Sequence, residues 1–192
     1  MNVPEDLAPL LGPLLALERL LARFGHRGVV IGGVAAALLG RPRLTADVDA
    51  LLLLDMAELP RLLTAAAEEG LQPRIADAEA FARRNRVLLL RHQESAISVD
   101  ISLGALPLEE EIVARSQVHR IGPLTVRLPT PEDLIILKAV AHRPQDLLDI
   151  QALIEAHPDL DRQRIRRWIQ EFAQALEMPG LWTDIAPWLE VD

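Results

Sequence analysis

The segment that most constrains this chain is Asp47-Val48-Asp49 and the unbroken apolar run Ala50-Leu51-Leu52-Leu53-Leu54 behind it. A short apolar run entered from polar residues reads as a buried strand. Residues two apart on a strand leave the same face, so Asp47 and Asp49 point together while Val48 and Ala50 point into the core. Unpaired carboxylates are not carried into an apolar interior. The two aspartates therefore stand at the mouth of the strand. A second segment, Ser98-Val99-Asp100-Ile101-Ser102, has the same grammar, with one carboxylate on the face opposite its apolar neighbours. If the two strands pair, three carboxylates converge. Like charges that close resist joint ionisation. A divalent cation resolves the conflict, and an all-oxygen donor set suits Mg²⁺. The ordinary alternative for any one of these residues is an aspartate capping a turn at a strand end. It loses ground when all three are taken together.

The rest of the pattern predicts an α+β (mixed α/β) fold. Leucines at helical spacing run through residues 4–24, from Pro4 to Gly25, and Gly12-Pro13 is expected to divide them into two short helices. Val29–Ile31 reads as a short buried strand stopped by Gly32-Gly33, and the alanine-rich Val34–Leu39 as a helix closed by Gly40. A helix is expected over 57–69 and an extended segment over 71–75. Arg86–His92 and Ile97–Leu103 read as consecutive strands, followed by a helix over 108–115 and a strand pair around Gly122-Pro123. From Thr130 the pattern is helical throughout. Thr130 suits an N-cap, Pro131 a first helical position and Asp133 a capping box. The shift in pattern predicts two parts, residues 1–128 with mixed elements and N-terminal helices, and an all-helical region over 129–192.

Composition narrows the chemistry. Half of the 192 residues are hydrophobic but only 3% are aromatic, so the core is aliphatic. With no cysteine, disulfides and thiolate metal sites are excluded, and the five histidines show no ligand spacing. No serine sits in a G-x-S-x-G elbow, which leaves a serine hydrolase unsupported. A net charge of −8 argues against a non-specific nucleic-acid binder, though not against a local basic groove. Glu5 and Asp6 reverse the basic start of a signal peptide, and the longest apolar run, Gly28–Gly40, is 13 residues, too short for a membrane span. The expectation is a soluble, cytoplasmic protein without a membrane partner.

Several other residues invite a role. A strand that ends in Gly32-Gly33 and opens a helix offers backbone N–H groups and a positive dipole end to phosphate. Close packing at a tight turn explains many such pairs equally well, and neither a P-loop nor a G-x-G-x-x-G fingerprint is present. Arg41 and Arg43 lie just before the carboxylates and have the fork geometry that suits phosphate, or are solvated loop charges. Lys138, the only lysine, sits among Leu134–Leu137 and Ala139–Ala141, where an ammonium needs an anionic partner or a route to water. Asp146 and Asp149, at i and i+3, could orient Arg143 or Lys138, with an exposed ion-pair face as the commoner alternative. Arg162, Arg164, Arg166 and Arg167 read as the solvated face of an amphipathic helix, with an RNA- or acceptor-binding face as the alternative.

Taken in order, Gly32-Gly33, Asp47-Val48-Asp49 and Val99-Asp100-Ile101 resemble the signature of the DNA polymerase β-like nucleotidyltransferase superfamily. Arg43-Leu44-Thr45-Ala46-Asp47-Val48-Asp49 is similar to the R-x-T-x-D-[IV]-D of its abortive-infection (AbiE-type) toxin branch, as is the run from Pro131 through Lys138, Arg143, Asp146 and Asp149. The likeness spans residues 28–155, and departs where Gly33 replaces a frequent serine, which would lose a hydroxyl contact to phosphate. It implies a small nucleotidyltransferase-fold sheet flanked by helices, and a Mg²⁺-dependent transfer of a nucleoside monophosphate from an NTP to an acceptor hydroxyl. The acceptor would be RNA, a protein or a small molecule. In that reading Asp47 and Asp49 are metal ligands, and Asp100 is the third ligand or the base. Gly32, Gly33, Arg43, Thr45 and Lys138 would contact the nucleotide. A toxin–antitoxin or phage-defence role with a cognate antitoxin follows by analogy. The alternatives are a non-catalytic nucleotide-binding or protein-interaction module on the same fold, and a phosphohydrolase using the same acidic cluster.

Overall fold

The computed structural model describes residues 5–190; Pro4, expected near the start of the first helix, lies outside them. Its elements fall into two units, one of residues 1–34 and 43–129, the other of residues 35–42 and 130–192.

The first unit is built on a five-stranded mixed sheet in the order β1-β2-β5-β4-β3, formed by β1 (Gly28–Ile31), β2 (Asp47–Leu53), β3 (Leu71–Pro73), β4 (Val87–His92) and β5 (Ser98–Gly104). β2 pairs with β1 antiparallel and with β5 parallel, so it runs through the interior of the sheet. That position explains its sequence. Val48, Ala50, Leu51 and Leu52 are all essentially fully buried, as a central strand requires. Helix α1 (Leu11–Arg23) turns Leu14, Leu17, Leu20 and Leu21 inward, and α3 (Leu59–Glu68) does so with Leu59, Leu62, Ala65 and Ala66. Helix α5 (Pro107–Arg115) follows β5, and a separate hairpin of β6 (Gln117–Ile121) and β7 (Leu124–Leu128) ends the unit.

Two details differ from the sequence expectation. The N-terminal leucines do not break at Gly12-Pro13. A 3₁₀ stretch, Glu5–Leu10, hands over to α1 at Leu11, and Pro13 sits in the first turn of α1. A first-turn residue has no intrahelical N–H bond to lose, so proline is tolerated there. Helix α4 (Ala78–Asn85) was not expected at all: its buried face is only Ala78 and Ala82, too small a stripe to stand out in a polar segment.

The second unit is helical. The C-terminal end of α2 (Gly32–Leu39) belongs to it, together with α6 (Pro131–Ala141), α7 (Pro144–Ala156), α8 (Arg162–Ala175), α9 (Gly180–Thr183) and α10 (Ala186–Leu189). Thr130 caps α6 as expected, its Oγ1 accepting from the Asp133 amide at 3.3 Å. α6 packs against α7 and α8, and Leu134, Ile135 and Ile136 of α6, Ile150 and Leu153 of α7, and Ile165 and Ile169 of α8 are fully buried. Among the described residues no helix is long and apolar enough to cross a membrane.

Candidate active site

The first unit gathers most of the residues singled out above at the mouth of β2. The register sets them in a row. Asp49 lies opposite Ile31 on one side and Asp100 on the other, and Asp100 in turn lies opposite Leu89. Paired residues in a ladder project from the same face of the sheet, so the carboxylates of Asp49 and Asp100 are neighbours across the parallel β2–β5 pair. Asp47, opposite Ser98, is exposed, and Asp49 and Asp100 are half-buried. The inward neighbours Val48, Ala50, Val99 and Ile101 are fully buried and anchor both strands.

The two glycines have a steric reason to be there. Gly32 takes φ +64°, and a Cβ on it would collide with the carboxylate of Asp49; a Cβ on Gly33 would collide with Oγ1 of Thr45. Bare backbone thus lies directly against two of the predicted site residues. Thr45 Oγ1 donates to Oδ1 of Asp47 at 3.1 Å, and Arg43 Nη1 donates to the Leu44 carbonyl at 3.1 Å. Gly32, Gly33, Arg43, Thr45, Asp47, Asp49 and Asp100 therefore belong to one unit and border one strand mouth.

One site residue was missed. Arg74, just past β3, donates from Nη2 to both oxygens of Asp100, at 2.8 and 2.6 Å. Its amide bonds the Leu89 carbonyl at 3.1 Å, which extends the β3–β4 pairing by one residue and adds Arg74 to the row Asp49–Asp100–Leu89. An arginine after a short strand carries no signal of its own in a chain whose basic residues are almost all arginine. As the structure stands, Asp100 is thus engaged by a guanidinium. Among the described residues no three His, Asp or Glu side chains are arranged to hold a metal ion as they stand. The donor set nevertheless fits a hard cation. Asp47 and Asp49 offer carboxylate oxygens from one strand face, with Asp100 on the adjoining strand, and only oxygen ligands are at hand.

Lys138 lies in the second unit and is 3% exposed. Its ammonium bonds Asp146 at 3.0 Å and Asp149 at 2.7 Å, and Arg143 Nε donates to the other oxygen of Asp146 at 2.6 Å. The anionic partner that a lone buried lysine demands is supplied by the chain itself. Asp146 and Asp149 are buried, which overturns their reading as an exposed face: a helix with aspartates one turn apart is placed against a buried cation rather than solvent. Burial raises the Asp146 carboxyl, but hydrogen bonds from Arg143 and Lys138, with their charges, outweigh it and hold the group below the usual aspartate range. Arg164 is the exception on the arginine-rich helix, with its side chain 9% exposed and paired to the fully buried Asp133 at 2.8 Å. Arg41, also in this unit, pairs with Glu155 at 3.1 Å in an exposed setting.

Known structures share this mixed-sheet fold. The fold is similar to an antigenic nucleotidyltransferase-like protein from Paracoccidioides brasiliensis (TM-score 0.56, 17% identity, covering 99% of this chain and 95% of that one). It is similar also to the antibiotic-resistance factor ANT(2'')-Ia (TM-score 0.54, 13% identity, covering 88% of this chain and 95% of that one). Residues 15–183 match the model of the nucleotidyl transferase AbiEii toxin family, of the type IV toxin–antitoxin system, and the chain belongs to that family. It is a nucleotidyltransferase. None of the curated proteins matches it in sequence.

Proposed function

We propose that the strand mouth of β2 carries out a Mg²⁺-dependent transfer of a nucleoside monophosphate from an NTP to an acceptor hydroxyl. The acceptor oxygen forms a bond to the α-phosphorus, the bond from that phosphorus to the bridging oxygen breaks, and pyrophosphate leaves with the electron pair. The hydroxyl proton passes to a base. The observation that carries this reading is the parallel register that sets Asp49 beside Asp100, with Gly32 bare against the Asp49 carboxylate.

Asp47 and Asp49 would hold Mg²⁺, which when bound supplies a clamp on the phosphate oxygens and offsets their charge. The backbone N–H groups at Gly32 and Gly33, at the start of α2, suit the phosphate chain. Thr45 fixes one oxygen of Asp47 and leaves the other for the ion. Arg43, whose guanidinium lies near Gly33, would meet phosphate with its fork. Asp100, one strand over, is the third ligand or the base. Lys138 stands outside this set, because its ammonium already has two buried carboxylate partners. Family membership supports a toxin role with a cognate antitoxin as protein partner.

The test is incubation with NTPs labelled at the α- or the γ-phosphate together with total cellular RNA and protein. The α-label is expected to enter an acceptor, the γ-label to stay in pyrophosphate, and the Asp47→Ala/Asp49→Ala protein to label nothing. Equal labelling by the native and substituted proteins would remove the reading. Release of γ-label as orthophosphate without acceptor labelling would point to a phosphohydrolase instead.

A further inference from the structure

Arg74 and Asp100 form a contact in the strand-mouth row to which the transfer reaction as read above gives no part, and its geometry is specific. Nη2 bonds both carboxylate oxygens, at 2.8 and 2.6 Å, so it stands astride the carboxylate. A cation coordinated by both oxygens of Asp100 would occupy that same position. The backbone does not bring the guanidinium there by chance of a flexible loop. The Arg74 amide is locked to Leu89, and Leu89 is the ladder partner of Asp100. The side chain therefore reaches over β4, two inter-strand spacings or roughly 9.5 Å from backbone to backbone, to meet its acid. Both side chains keep about a quarter of their surface in solvent (29% for Arg74, 26% for Asp100). That is enough access for the pair to exchange partners, and enough burial for the charge–charge contact to matter.

We propose that Arg74 and a divalent cation are mutually exclusive partners of Asp100, so that Arg74 sets the metal affinity of the site by occupying its third carboxylate. The inference rests on the functional reading above, in which Asp47 and Asp49 hold the metal, and on the alternative there that makes Asp100 its third ligand. Arg74 offsets one of the three negative charges along β2 and β5. The ion gains Asp100 only by displacing the guanidinium, and the metal affinity is lowered by the strength of that contact. A triphosphate arriving with the ion offers the displaced arginine a new anion, for which its fork is suited.

The test is Mn²⁺ binding, read by the loss of the free-ion electron paramagnetic resonance signal. It compares the native chain, Arg74→Gln, Arg74→Lys, Asp100→Asn, the double variant Arg74→Gln/Asp100→Asn, and Asp49→Asn. Arg74→Gln is expected to tighten Mn²⁺ binding on the order of tenfold, the scale of one charge-assisted hydrogen-bonded contact. In the Asp100→Asn background the same substitution is expected to change affinity by less than about twofold, because the carboxylate through which Arg74 competes is gone and the two substitutions are coupled rather than additive. Arg74→Lys, which keeps a cation but not the reach, is expected to fall between native and Arg74→Gln. Unchanged or weaker binding in Arg74→Gln, with Mn²⁺ still bound in an Asp49-dependent way, would overturn the proposal while leaving the functional reading intact. Equal tightening with and without Asp100 would also overturn it, by showing a diffuse charge effect. If Mn²⁺ binding does not depend on Asp49 in any variant, the functional reading itself fails and the proposal with it.

Discussion

Gly32 shows how a single residue is held to its identity by two separate costs. Its φ of +64° is unfavourable for any residue with a Cβ, and its Cα lies against the Asp49 carboxylate. Gly25 offers a natural control, with φ +66° and no atom near its missing Cβ. Gly25→Ala is expected to cost about 1–2 kcal/mol from the backbone alone. Gly32→Ala carries the same backbone cost and in addition pushes Asp49 out of place. It is therefore expected to lower transfer activity at least about tenfold, since a displacement near 1 Å can cost more than that, while Gly25→Ala leaves activity near native. Denaturant midpoints and transfer rates on both proteins check this. In the sequence the Gly-Gly pair was compatible with a phosphate site or with simple close packing. The structure shows close approach to Asp49 and Thr45, a contact between segments that no local pattern encodes. Arg74 was illegible for the same reason: its partner lies 26 residues away and two strands over.

At the level of elements, α6 and α7 are joined by an ion network rather than by apolar packing alone. Lys138 binds Asp146 and Asp149 in the interior, and Arg143 shares Asp146. Removing the ammonium that bonds both buried carboxylates is expected to cost about 3–5 kcal/mol, so Lys138→Met should lower stability by that order. Asp146 also gives the network a pH dependence with a definite sign. Its carboxyl is held below its ordinary value in the folded chain, so the stabilisation is complete above the unfolded aspartate pKa near 3.9 and is lost as pH falls further. Equilibrium unfolding between pH 7 and pH 3 is expected to show a loss of stability below about pH 4 that is smaller in Asp146→Asn. The need of Lys138 for anions was legible, because a lone ammonium on an apolar helix is costly. Asp146 and Asp149 were on offer as its partners, but the sequence could not choose between that and an exposed face, since aspartates at i and i+3 look alike whether they face solvent or a buried lysine.

For the molecule as a whole, the strands that carry the site were legible and their arrangement was only partly so. β2, β4 and β5 announce themselves by apolar runs, and the paired aspartates mark which end of β2 is polar. The parallel pairing of β2 with β5, which makes Asp100 the neighbour of Asp49, joins segments separated by two helices and two strands. Motif order supplied that contact through resemblance, and membership in the AbiEii family with residues 15–183 matched agrees with it. Alanine-faced α4 and the buried Asp133–Arg164 pair were not visible, because small apolar stripes and charged residues look like surface until a partner is in place. The central claim is that Asp47 and Asp49 carry the chemistry. It is tested most directly by the rate of pyrophosphate release with Mg²⁺, NTP and the acceptor pool, compared among the native chain, Asp47→Asn and Asp49→Asn, each verified as folded by circular dichroism. A loss of at least about 100-fold in each variant is predicted, as removal of metal-borne charge stabilisation worth several kcal/mol requires. Pyrophosphate release within a few-fold of native in either folded variant would contradict it.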